Sequence, residues 1–319
     1  MLNRIFARIP LAYVLRRLLI AIPTMLAIIT VAFFMMRAAP GGPFSADRKL
    51  PVETERAIAA KYGLDDPILV QYGKYLGDVV QGDFGPSFKI KDKDVSELIA
   101  DGLPISLTIG GLSMLLALLV GGALGILAGL RQNTAADYSV MGIAMAGISV
   151  PTFVTGPILI LTLALGAGVF AAGGLGFPPG LNWQNTTLPV ITLALPQIAI
   201  ISRLMRASMI ETMRMPHIRT ARSKGLSERQ VIVSHALPTA ILPLVSYVGP
   251  ATARVLTGSV VVERVFSLPG MGSYFVDGAI NRDYTLVMGA IIIYAGLIIA
   301  LNLIADILYA VLDPKVKYD

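Results

Sequence analysis

The chain has 319 residues, 55% hydrophobic and 14% charged, with a net charge of +6 and a mean hydropathy of +0.72. A soluble domain carries about 25% charged residues, so one soluble core cannot hold this apolar excess and a membrane is the natural solvent. The absence of cysteine excludes disulfide frameworks and thiolate metal sites. The two histidines, His217 and His235, fit no common zinc spacing. In so apolar a chain the positive charge reads as loops beside an anionic membrane surface, not as a nucleic-acid interface.

Six apolar runs reach the membrane-crossing length, at 18–36, 103–130, 140–167, 188–209, 237–262 and 284–312, since a spanning helix needs about 20 residues. Each is expected to be helical, because lipid offers no partner for unpaired backbone groups. Arg16 and Arg17 before the first run resemble the charged start of a signal peptide. The run outlasts a signal core and Arg37 follows it, so it reads as a retained anchor.

Lys and Arg set the orientation. The N-terminal segment 1–17 carries Arg4, Arg8, Arg16 and Arg17, and the tail 313–319 carries Lys315 and Lys317. The segment between runs four and five carries Arg203, Arg206, Arg214, Arg219, Arg222, Lys224 and Arg229. The loop between runs three and four has no Lys or Arg, and that between runs five and six has only Arg264 and Arg282. Both termini are therefore expected in the cytoplasm. Segment 37–102 falls outside, and its stretches 53–62 and 68–80 read as short amphipathic helices of a small ordered external subdomain.

Within the runs, Gly121, Gly122, Gly125 and Gly129 read as small-residue packing or as close approach at a moving interface. Pro151 and Pro157 interrupt the third run and predict a kink. Arg254 and Asp306 are among the few ionisable residues there. Such groups face a bundle interior or a water-filled cavity, unless they snorkel to the interface. Arg254 is thus a candidate pore-lining residue. The chain has no P-loop, HExxH or GxSxG motif, so it reads as a conduit that borrows energy from elsewhere, and as no enzyme.

The stretch RLMRASMIETMRMPHIRTARSKGLSERQVIVSHALP, 203–238, is the most informative. Pro216 suits the first turn of a short helix. Arg222 and Lys224 suit its C-terminal end, and Gly225 supplies a left-handed stop. Ser227 and Gln230 have capping-box spacing for a second helix. Pro238 marks the start of the fifth run. A helix, a glycine turn and a helix would then lie beneath the membrane, in a shape that fits a cleft on a cytoplasmic protein.

This stretch resembles the cytoplasmic coupling loop of ATP-binding-cassette importer permeases. Ala221, Gly225, Leu237 and Pro238 match that family's pattern, whereas Arg219 and Thr220 replace its usual Glu and Ala, and His235 its Ile. The run IRTARSKGL resembles the variant of the peptide and nickel branch. RAAPGGPF at 37–44, QGDFGPSF at 81–88 and ERVFSLPGMGSYFVDGAINRDYTLVMG at 263–289 resemble further segments of that branch. QGDFGPSF and the DPK at 313–315 look most like the first permease subunit of oligopeptide importers.

The resemblance implies an all-α integral membrane protein with six transmembrane helices in the type I ABC importer permease fold. It implies a permease core over 103–312 and a coupling loop over 210–237 in the bacterial inner membrane. The implied partners are a second homologous permease subunit, two cytoplasmic ABC ATPases that bind the ATP, an external peptide-binding protein, membrane lipid and the peptide. No cofactor of this chain's own is implied. Arg219, Thr220, Ala221, Gly225, Leu237 and Pro238 would form the ATPase-coupling loop, with Ala221 facing the ATPase. The alternatives are the same machinery for dipeptides, nickel chelates or cell-wall peptides, an ion-driven secondary transporter, and a membrane assembly factor.

Overall fold

The structure, a computed structural model, describes residues 11–38, 66–90, 92–176 and 179–312. The described chain is helical. We label its helices α1 (Leu11–Ala38), α2 (Ile68–Val80), α3 (Val95–Leu130), α4 (Ala135–Ser149), α5 (Thr152–Gly166), α6 (Trp183–Met213), α7 (Pro216–Ser223), α8 (Glu228–Ala240), α9 (Leu242–Val265), α10 (Met271–Asn281) and α11 (Tyr284–Leu312). Four of them, α1, α3, α6 and α11, are each long and apolar enough to cross a membrane. The pairs α4–α5 and α8–α9 bring the number to six if each bent pair is one span.

The third and fifth apolar runs are therefore not single straight helices, as the run lengths alone suggest. Between α4 and α5 the chain bends by 101°. The cause is local. Val150 precedes Pro151 and is extended, at φ −92° and ψ 116°, because the proline ring excludes the helical conformation from the residue before it. Pro157 is absorbed within α5, whose end, Ile160–Gly166, winds as a π-helix. The bend between α8 and α9 is 47°. It falls at Ile241, just before Pro243, and not at Pro238. The expected helix at 68–80 is present as α2. The expected helix at 53–62, the RAAPGGPF segment past Ala38 and the DPK tail lie outside the described residues.

The chain divides into two compact units. The first comprises 1–18, 107–268 and 298–319 and is organised around α6. Asn182 caps the start of α6 by accepting from the amides of Gln184 and Asn185, while the Asn185 side chain accepts from the Asn182 amide. Helix α3 lies against α6 through its glycines. A Cβ on Gly121 would sit 2.8 Å from the Ile198 carbonyl oxygen, and one on Gly125 would sit 2.5 Å from that of Ser202. A Cβ on Gly129 would meet Met209 at 2.7 Å. Spacing of four residues puts all three on one helix face, so the stripe is a close packing seam within the chain. Gly122, off that face, has nothing within 4 Å. Asp306 of α11 is paired with Arg17 at 2.9 Å.

The second unit comprises 19–106 and 269–297. One apolar cluster joins Val95, Leu98 and Ile99 of α3 to Met271 and to Leu286, Ala290 and Tyr294 of α11. Another joins Ile29 and Phe33 of α1 to Met288 and Ile292, with Tyr72 and Tyr75 of α2 against it. Asp283 caps α11: it is buried and accepts from Ser87, from Thr285 and from the Leu286 amide. The QGDFGPSF and NRDYT stretches thus meet in one hydrogen-bonded corner. Leu19, Ile22, Val31 and Met35 of α1 are all more than half exposed, the apolar surface expected of a helix facing lipid.

Gly125→Val should disrupt the α3–α6 seam, because overpacking against a backbone oxygen has no flexible neighbour to yield. A loss of about 1–3 kcal/mol is expected, read as a lower unfolding temperature in detergent. Gly122→Ala, whose Cβ would meet no atom within 4 Å, should leave that temperature unchanged.

Candidate functional site

The stretch between α6 and α9 folds as its residues predict. Pro216 occupies the first turn of α7. Gly225 has φ +77°, a conformation open to glycine and strained for other residues. Ser227 caps α8 by accepting a hydrogen bond from the Gln230 amide, and the Gln230 side-chain oxygen accepts from the Ser227 amide. Arg222 bridges the turn to Glu228 at 2.8 Å and 3.1 Å. That hydrogen bond, the largest cause, holds the Arg222 guanidinium above its ordinary pKa.

Burial sorts the residues of α7 into two faces. Ile218 and Ala221 are buried, at 0% and 4% exposure, with α7 resting on the π-helical middle of α8, Val231–Ala236. His217, Arg219, Thr220 and Arg222 are exposed, as is Gly225. Ala221 is therefore not an outward contact residue, as its place in the family pattern suggested. Its small side chain serves the packing of α7 on its own chain. Arg219 and Thr220, which depart from that pattern, hold the open face. Leu237 is half-buried and Pro238 exposed. Ser208 of α6 ties the end of α8 down through the Ala240 carbonyl at 2.8 Å.

Arg254 lies mid-helix on α9 and is exposed. Its Nε donates to the Pro250 carbonyl at 3.4 Å, and its guanidinium sits 5.5 Å from the centroid of the Tyr247 ring. It belongs to an exposed stripe of Pro243, Ser246, Pro250, Arg254, Gly258 and Val261. Such a face is polar and small where the exposed face of α1 is Leu, Ile, Val and Met.

A further ionic pair escaped the sequence reading. Arg206, counted there as a loop cation, lies inside α6 and grips Asp137 of α4 through Nε at 2.5 Å and a terminal nitrogen at 2.7 Å. Asp137 is fully buried and also accepts from the Asn133 amide at 2.9 Å. The available signal was an acid at the start of an apolar run, which demands a partner.

Comparison with known proteins fits this architecture. The family model "Binding-protein-dependent transport system inner membrane component" matches residues 121–318. The chain belongs to that family. A second model, for the N-terminal part of such membrane components, matches residues 10–110. The permease is 47% identical to the oligopeptide transport system permease protein OppB of Salmonella typhimurium, over 97% of this chain and 100% of the relative. It is 46% identical to OppB of Haemophilus influenzae, with coverage of 97% and 100%. It is 37% identical to the dipeptide transport system permease protein DppB of Bacillus subtilis, with coverage of 96% and 97%. In fold it is similar to the inward-facing MetNI methionine ABC transporter, at a TM-score of 0.55 and 17% identity, over 68% of this chain and 96% of that one.

The Asp137–Arg206 pair yields a test of the permease's packing. Asp137→Ala strands the Arg206 charge beside α4, and breaking such a pair costs about 3 kcal/mol. Adding Arg206→Met should recover much of the loss. Thermal unfolding of the two variants in detergent reads both effects.

Proposed function

We propose that this permease forms half of the translocation path for oligopeptides handed over by an external binding protein. A second, homologous permease completes the path, and two cytoplasmic ABC ATPases bind and hydrolyse the ATP. The observation that carries the reading is the segment 216–240. It is a self-packed helix, a left-handed glycine and a capped second helix, with one face open, in a chain of this family. The higher identity to relatives named for oligopeptides than to the one named for dipeptides supports the cargo.

In this reading the exposed Arg219 and Thr220 sit in a groove on an ATPase. Leu237 and Pro238 join that lever to the bent start of α9. Closure of the ATPase dimer on ATP moves the groove, α7 follows as a rigid body, and the path changes from inward-facing to outward-facing. Inverting a 1:99 population to 99:1 requires about 5.5 kcal/mol of differential binding. The basic loops put both termini in the cytoplasm of a bacterial inner membrane and α2 outside. Arg254 and its stripe line the path.

Two experiments test this. A periplasm-active reporter should be silent when fused after Lys317 and active when fused near Asp78; the opposite pattern reverses the topology. Gly225→Val meets no neighbour within 4 Å, so its effect is backbone strain of about 1–2 kcal/mol, which re-aims α7. Arg219→Glu alters only the open face. Both variants should insert at wild-type levels, yet lose ATPase co-purification and peptide uptake. Retention of both by both variants removes the loop from coupling.

A further inference from the structure

Arg203 of α6 and Arg254 of α9 form no ion pair among the described residues, whereas Arg17 and Arg206 of the spanning helices are paired. Arg203 and Arg254 are exposed in this chain. Glu211, the next exposed acid along α6, is eight residues beyond Arg203, a rise of about 12 Å.

One tyrosine joins α9 to α6 beside Arg254. The Arg254 guanidinium lies over the Tyr247 ring, and the Tyr247 hydroxyl donates to the Gln197 side-chain oxygen at 2.8 Å. A cation–π contact orients a guanidinium without neutralising it. Arg254 spends one donor on the Pro250 carbonyl, out of five. An unneutralised cation in a spanning helix is tolerated where it meets water or an anion. Lipid is a poor neighbour for this face, whose one large apolar residue is Val261.

We propose that Arg254 and Arg203 form a station for the free C-terminal carboxylate of the peptide in transit. The inference rests on the peptide reading above and names the group recognised. The C-terminal carboxylate is the anion that a linear peptide carries whatever its side chains, so a site tuned to it tolerates sequence. A guanidinium fork matches a carboxylate in two parallel hydrogen bonds. Gln197 and Arg203 are six residues apart on α6, about 9 Å along its axis, so Arg254 beside Tyr247 and Arg203 offer successive holds at different depths. Weak, multiple sites are what conduction needs, because each must release its cargo.

The test uses the whole transporter in proteoliposomes, with ATP inside and the binding protein outside. The probes are trialanine and trialanine amide, each presented at matched binding-protein occupancy. Arg254→Gln should lower the ratio of acid to amide uptake about tenfold, the order expected for a charge-assisted hydrogen bond. Arg254→Lys should fall between. Arg203→Gln should shift the acid-to-amide ratio in the same direction, and the Arg203 side chain makes no hydrogen bond among the described residues, so folding is spared if Arg254→Gln fails to assemble. Equal losses for acid and amide, or no loss in either, overturn the carboxylate station. ATP-dependent import of neither peptide by the wild-type complex overturns the peptide reading instead.

Discussion

The backbone-to-backbone contact between α3 and α6 is the constraint on which the first unit depends. Lipid is as apolar as a leucine side chain, so burial of hydrophobic surface does little to hold membrane helices together. What remains is close packing and hydrogen bonding, and both require small residues at the seam. Gly121, Gly125 and Gly129 let α3 lie directly on the carbonyls of Ile198, Ser202 and Arg206. With α6 fixed on that side, its other faces become attachment points. Arg206 holds Asp137 of α4, Gln197 holds Tyr247 of α9, and Ser208 holds the end of α8.

That arrangement ties the segment 216–240 to the spans by a short route. Ile218 and Ala221 seat α7 on the π-helical turn of α8. A π-helix is a strained insertion often found at functional sites, and here it stands directly before the bend at Ile241. In the proposed function, displacement of the open face of α7 would pass to α8, and from there to the start of α9. The stripe carrying Arg254 lies on that same helix. The proposed coupling and passage elements are thus two ends of one continuous stretch of chain.

Several acids placed in the apolar segments each have a partner. Asp137 has Arg206 and a backbone amide, Asp306 has Arg17, and Glu263, fully buried in α9, accepts from Ser259 at 2.7 Å. Asp283 organises the corner where α11 begins. Against this pattern Arg203 and Arg254 stand out, because neither is paired with an acid among the described residues.

Sequence by itself determined the membrane class, the positions of the apolar runs and the local architecture of 216–230. These follow from composition and from interactions between residues a few positions apart. Pro216 at a first helical turn, Gly225 at positive φ and the Ser227–Gln230 box need no distant partner. The helix at 68–80 was legible for the same reason. Tertiary structure alone decided which face each helix presents. Ala221 has the same local propensity whether it faces outward or α8, and only packing made it inward. Arg206 looked like one loop cation among several until α6 carried it beside Asp137, 69 residues away in the chain. The prolines announced a kink in the third run, but not its size of 101°. Long-range partners of this kind leave no trace in local spacing, because the chain between them is free to vary.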